Sequence, residues 1–221
     1  MSKYIATALL LNWKRPENLK ESIAQLRKMN VEILVWNNNP EDHTTFDADK
    51  QYNATENGFC WKRWQMADKA TTPFVFSLDD DLMLSRDVLP DCVRLVNNLP
   101  YDAIIGYTGV GLNPQHKYKN STHLNSPDTS MDYHVDIVKG RFMFMKKIFI
   151  LNIPSPKPEL RHLLSVADDI YISSKSSFKV VPSFMANSMI ELPEKGVGLW
   201  THPNHYATRQ QAVDEFFNHY G

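Results

Sequence analysis

The chain has 221 residues, of which 43% are hydrophobic and 22% charged, the balance of an ordinary folded protein and not of a disordered or fibrous one. Its 24 basic and 25 acidic side chains leave a formal charge of −1, which excludes a global electrostatic attraction to nucleic acid or to an anionic membrane. Two cysteines, Cys60 and Cys92, are too few for a disulfide framework, and no apolar run reaches the roughly 20 residues that a membrane span needs. The cytoplasm is the expected location, unless the chain is a domain excised from an anchored protein. Nucleic acid and an integral membrane segment are not expected partners.

The apolar run from Ile5 to Leu11 reads as a buried strand, and Pro16 sits where a helix starts, with Leu19, Ile23 and Leu26 at helical spacing. Val31 to Trp36 is a second buried strand that stops at Asn37-Asn38-Asn39-Pro40. Trp61, Trp64 and Ala67 or Ala70 predict a helical stretch. Pro73 to Leu78 reads as a third buried strand running into Asp79-Asp80-Asp81. Val88, Leu89, Cys92, Val93 and Val96 repeat at three and four, and Ala103 to Tyr107 is another strand.

Alternation of this kind predicts an α/β fold with a largely parallel sheet covered by helices, whose ligands gather beyond the carboxyl ends of the strands. Further on, 111–132 is a polar loop long enough to be functional. Phe142 to Leu151 reads as a strand, Asp168 to Ser174 as a helix, Phe178 to Val181 as a closing strand and Ala207 to Tyr220 as a helical tail. Without repeats or flexible linkers, 1–221 is expected to form one domain, with a nucleotide-binding half over 1–107 and a catalytic, acceptor-binding half over 108–221.

The acidic triplet is the strongest local signal. In an extended chain Asp79 and Asp81 point to one side and Asp80 to the other, so two carboxylates act together. Three adjacent acids repel one another unless neutralised, and a hard divalent cation with oxygen ligands, Mn²⁺ or Mg²⁺, is the natural neutraliser. Such a cation completes its shell with water and substrate phosphates. Neither a P-loop nor a dinucleotide fingerprint is present, so metal must do more of the phosphate binding. The bland alternative for the triplet is a solvated helix start.

Asn12-Trp13-Lys14-Arg15-Pro16, Val35-Trp36-Asn37-Asn38 and Leu78-Asp79-Asp80-Asp81, in that order, resemble the nucleotide-sugar glycosyltransferases of the GT-A fold, a mixed sheet flanked by helices. Ala167-Asp168-Asp169-Ile170 and Gly198-Leu199-Trp200 with His205 and Arg209 narrow the resemblance to the exostosin-like catalytic domain, glycosyltransferase family 64. The resemblance implies transfer of a hexosyl or N-acetylhexosaminyl group from a UDP-sugar to a hydroxyl of a glycan or other acceptor, with retention. It places Arg15 near the diphosphate, Asn37 or Asn38 at the uracil, and Asn57, with Lys62 or Arg63, at the nucleotide.

By the same resemblance Asp79 and Asp80 face the nucleoside and donor sugar, and Asp81, with Asp79, ligates the metal. Asp169, then Asp168, carry catalysis with Arg209, and Gly140 lines the donor pocket in a turn where Arg141 and Phe142 stand in place of small residues. Trp200 lies in a glycine-flanked segment that suggests a lid over the donor, with plain packing as the alternative, and His205 or His202 is either an added metal ligand or a structural histidine, so neither belongs to the expected metal set. Two rival classes remain: a metal-dependent phosphoryl or nucleotidyl transferase, and an inactive glycan-binding module of the same fold.

Overall fold

The computed structural model describes residues 3–193, 198, 201 and 203–217. Among the described residues thirteen strands follow in chain order: β1 (Thr7–Asn12), β2 (Glu32–Asn37), β3 (Lys50–Asn53), β4 (Phe74–Leu78), β5 (Leu82–Leu84), β6 (Ile104–Gly106), β7 (Gly109–Gly111), β8 (Thr122–Leu124), β9 (Tyr133–His134), β10 (Ile137–Val138), β11 (Phe142–Lys146), β12 (Lys179–Val181) and β13 (Met189–Glu191). The α-helices are α1 (Pro16–Leu26), α2 (Lys62–Gln65), α3 (Leu89–Asn97), α4 (Lys147–Asn152), α5 (Leu164–Ser174) and α6 (His205–Phe217).

Eight strands form the main sheet in the order β3-β2-β1-β4-β11-β6-β12-β9. The first four are mutually parallel, as the alternation predicts, so the ends of β1, β2 and β4 open on one edge of the sheet. β11 enters antiparallel between β4 and β6 and makes the sheet mixed. Strands from both halves of the chain interleave in it, β6 lying between β11 and β12.

Both faces of the sheet are covered, which is why the central strands read as unbroken apolar runs. Ala8, Leu10, Ile33, Val35, Phe76, Leu78, Phe142 and Phe144 face one core, where they meet Leu19, Ile23 and Leu26 of α1 and Leu89, Cys92 and Val96 of α3. The residues between them, Leu9, Leu34, Val75, Met143 and Met145, point the other way onto Trp64, Met66, Phe149 and Ile172. That is the period of two that a strand imposes. A third cluster joins α5 and α6 through Leu164, Ala167, Ile170, Tyr171, Val213 and Phe216.

Two sequence expectations change here. The segment from Phe142 to Leu151 is not one strand: the ladder ends at Lys146 and α4 begins at Lys147, whose backbone N–H donates to the Pro73 carbonyl at 2.8 Å. Phe142 does not line a donor pocket, because it is fully buried in the core against Phe76.

Among the described residues no helix is long and apolar enough to cross a membrane.

Candidate active site

Each element delivers its side chains for a local reason. Pro16 opens α1 at a position where its fixed φ suits the helix and its missing N–H costs nothing. That leaves Arg15 as the last residue before the helix, with its side chain turned back over the sheet edge. β4 ends at Leu78, and a turn closed by the Leu82 N–H on the Asp79 carbonyl at 3.1 Å carries the triplet.

The turn overrides the alternation expected for Asp79 to Asp81. Asp80 and Asp81 share Arg15, at 3.2 and 2.7 Å, whereas Asp79 pairs with Arg63 at 2.7 Å. Arg63, on α2, also lies 3.8 Å from Asp168 and so links the triplet to α5. Asp168 accepts a 2.7 Å hydrogen bond from the Trp64 indole, and Asp169 pairs with Arg209 at 2.8 Å.

The helix α5 is broken at Ala167, whose φ of −144° and ψ of 30° are not helical. In an unbroken helix the Val166 carbonyl would accept from the Ile170 N–H. Here Arg209 Nη1 donates to the Val166 carbonyl at 2.7 Å, and the Ile170 N–H donates to Asp169 Oδ1 at 2.8 Å. The Arg209 and Asp169 side chains therefore satisfy the backbone that the break exposes, and the break aims Asp168 and Asp169 at different partners.

Asp169 Oδ2 also accepts from the Gly140 N–H at 3.0 Å. A carboxylate has about four acceptor positions. Gly140 and Arg209 take two on Oδ2 and Ile170 takes one on Oδ1, leaving one on Oδ1. A β-carbon added at Gly140 would lie 3.6 Å from the Asp169 Cβ, an ordinary contact, so Gly140 contributes its N–H and not a lack of bulk.

Burial pushes Asp80 up to about 7, with Arg15 opposing and Asp79 and Asp81 adding repulsion. Burial likewise pushes Asp168 up to about 6 against the pull of Arg63. The folded protein then holds a proton on Asp168 that the unfolded chain has released between about pH 4 and pH 6, so this contribution to stability is present below that window and is lost as pH rises through it. The slope is at most about 1.4 kcal/mol per pH unit. Unfolding midpoints of the natural protein and Asp168→Asn from pH 4 to 7 check this. The midpoint difference between the two should change across the window, and parallel curves would remove Asp168 as the titrating group.

Asn37 and Asn38 are buried and committed to the loops around them. Asn12 donates to Asn37 Oδ1 at 2.8 Å, while Asn38 donates to Asn57 Oδ1 at 2.6 Å and accepts from the Gly58 N–H at 2.8 Å. They build the rim of the sheet edge, with Asn57 inside the same network. Of the two basic candidates near 62, Arg63 holds carboxylates, whereas the Lys62 ammonium lies 5.3 Å from the Trp36 ring. Arg141 pairs with Glu191 at 2.8 Å. His205 opens α6 and meets Tyr206 edge-on. Trp200 and His202 lie outside the described residues.

Trp64 and Tyr118 enter the site without a sequence signal of their own, and Lys139 enters from the turn around Gly140. Trp64 reads only as core, yet its indole holds Asp168. Tyr118, in the polar loop, lies under the Arg209 guanidinium at 4.7 Å, and Lys139, pushed down to about 8 by burial with Arg209 adding repulsion, donates to Asn125 of the same loop at 2.7 Å. Gln210 on α6 accepts from the Tyr118 N–H at 2.8 Å, so the loop is docked on the helix that carries Arg209.

Around this centre the carboxylates of Asp79, Asp80, Asp81, Asp168 and Asp169 face the guanidinium groups of Arg15, Arg63 and Arg209, with the Lys139 ammonium near Asp169. Among the described residues Asp81 Oδ1 is buried with no hydrogen-bond partner. Acids that outnumber the bases and an orphaned carboxylate oxygen fit a hard divalent cation held by Asp81. Among the described residues no three His, Cys, Asp or Glu side chains form a closed metal cage, so substrate and water oxygens would complete the shell.

A mixed α/β sheet of this topology, with acids and arginines beyond the ends of β1 and β4, is the GT-A architecture of glycosyltransferases. The sequence matches the model of Glycosyl transferase family 2 over residues 9–151, and the chain belongs to that family. No curated protein matches it significantly. Asp168, Asp169, Trp200, His205 and Arg209, the motifs that narrow the resemblance to exostosin-like enzymes, all lie beyond residue 151 and outside the matched span.

Proposed function

We propose that the protein transfers a hexosyl or N-acetylhexosaminyl group from a UDP-sugar to a hydroxyl of a glycan or other acceptor, with Mn²⁺ or Mg²⁺ as cofactor. The observation that carries this reading is the Asp81 oxygen beside Arg15 at the end of β4, buried and without a hydrogen-bond partner among the described residues. Asp81 would hold the cation, with Asp79 joining if it leaves Arg63. The cation would supply Lewis-acid stabilisation of the charge that builds on the departing diphosphate.

The side chains of the chain do the rest. Arg15 exchanges a carboxylate partner for a phosphate oxygen, since a guanidinium pairs with either through the same fork of donors. Asp169, fixed by Gly140, Ile170 and Arg209, offers its one remaining acceptor position to the incoming hydroxyl. Arg209 keeps that carboxylate oriented. Retention at the transferred sugar follows from the exostosin-like resemblance, and the anomeric configuration of the product by NMR decides it.

The test is the unfolding midpoint with UDP, with Mn²⁺, with both and with neither, on the natural protein and on Asp81→Ala. At about 100 times its dissociation constant the ligand pair raises the midpoint by about 5 to 10 °C. Stabilisation only by the two together, absent in Asp81→Ala, is the expected outcome. A response to neither, or an equal response in Asp81→Ala, overturns the reading.

A further inference from the structure

A cavity of about 350 Å³ opens between the turn that leads into α2 and the segment that leads into α5, within the size range of small-ligand pockets. Lys62 lines one wall and Arg161 the other, and no Asp or Glu lines either. Among the described residues neither cation forms an ion pair, whereas Arg15, Arg63 and Arg209 are all paired. Ser155 and Gln65 add neutral donors to the same walls, while the Ser165 hydroxyl donates to the His162 carbonyl at 2.7 Å. Two cations without a carboxylate partner, Lys62 resting only on the Trp36 ring, with hydroxyl and amide donors around them make a site for an anion.

Phe59, also in the lining, adds a second observation. It is 48% exposed, and its backbone has a φ of 58°, in the left-handed region that a bulky side chain adopts only under strain. Its N–H donates to Asn57 Oδ1 at 2.9 Å, which holds the turn in place. Packing does not repay that strain, because the ring is half in solvent. A ring held out at a cavity mouth is the surface on which the apolar face of a sugar stacks.

The cavity also has the right position. Its Gly58 edge is tied to Asn38 at the end of β2, and its Ser165 edge lies on the first turn of α5, just before the break at Ala167 that leads to Asp168 and Asp169. We propose that this cavity is the subsite for an acidic acceptor sugar, whose phosphate or carboxylate lies between Lys62 and Arg161 while its ring rests on Phe59. As an acceptor subsite it rests on the transferase reading above; as an acidic-sugar pocket it stands on its own lining.

Ligand-observed NMR titrations of the full chain with glucose 6-phosphate, glucuronic acid and glucose test it, beside the UDP and Mn²⁺ midpoint shift of the same samples. One or both acidic sugars should bind about tenfold more tightly than glucose, and which of them does so identifies the acidic group. Arg161→Gln should lose that preference, and Phe59→Ala should weaken acidic and neutral sugars alike, with the UDP and Mn²⁺ shift intact in both. Equal binding of acidic and neutral sugars, no binding, or a preference that survives Arg161→Gln overturns the inference even where UDP and Mn²⁺ still stabilise the protein. Displacement of the acidic sugar by UDP with Mn²⁺ overturns the acceptor assignment. Acidic-sugar binding that depends on Arg161, without any response to UDP and Mn²⁺, upholds the pocket and removes the transferase reading.

Discussion

Asp169→Asn is expected to lower the rate of sugar transfer by about 10²- to 10⁴-fold, the range lost when a positioned acid or base is removed. The substitution keeps the size of the side chain and changes what it can accept. In the natural protein Oδ2 takes hydrogen bonds from Gly140 and Arg209, and Oδ1 takes one from Ile170. An amide oxygen at the first position satisfies Gly140 and Arg209, but the amide NH₂ then stands at the second, donor against donor with the Ile170 N–H. The acceptor position left for a substrate hydroxyl disappears with it.

Arg209 would also lose its counter-charge while nearly buried, so the variant should be less stable, and transfer has to be normalised to folded protein. UDP release from a panel of UDP-sugars with Mn²⁺ measures the rate, and the midpoint shift with UDP and Mn²⁺ should stay as large as in the natural protein. Normal turnover in Asp169→Asn would confine Asp169 to closing the break in α5. Loss of the UDP and Mn²⁺ shift together with transfer would place it in nucleotide binding instead.

Most of the frame was legible because the parallel strands are buried on both faces. Such strands carry continuous apolar runs, and Ile5 to Leu11, Val31 to Trp36 and Pro73 to Leu78 give β1, β2 and β4 within a residue or two. β3 has the sequence KQYN and lies at the sheet edge, where one side needs no apolar cover, so it left no apolar signal. The strand-to-helix switch at Lys146–Lys147 was hidden because β11 and α4 run together as one apolar segment, although Ile148 and Leu151 of α4 are exposed.

The site was legible residue by residue and illegible as a set of pairs. Arg15, the triplet, Asp168, Asp169 and Arg209 could be singled out by position, but the turn after Leu78 and the break at Ala167 decide which acid meets which arginine. Neither shows in a periodicity. Trp64 reaches Asp168 across 104 residues and Tyr118 reaches Arg209 through the fold alone, so spacing holds no trace of either contact.

Arg63→Met should cost the protein about 3 to 5 kcal/mol, the range for removing one partner of a buried ion pair, and lower the unfolding midpoint by about 6 to 20 °C. Arg63 is 5% exposed and, among the described residues, is the arginine that touches both carboxylate groups of the site. Burial works against its charge, and Asp79 and Asp168 more than offset that, holding its pKa above the usual range. Methionine fills a similar space without charge, so the loss comes from the carboxylates left behind. Asp168 is the more buried of the two acids, with a side chain 5% exposed against 32% for Asp79, and should carry most of it. Without Arg63 the Asp168 pKa rises further, so the loss should shrink as pH falls toward about 6, where Asp168 of the natural protein also takes up its proton, and Arg63→Met combined with Asp168→Asn should recover part of it at pH 7. Midpoints of the single and double variants at pH 5 and pH 7 check both statements. A loss that is the same at either pH, with no recovery in the double variant, would make Arg63 a packing residue and break the proposed link between the triplet and α5.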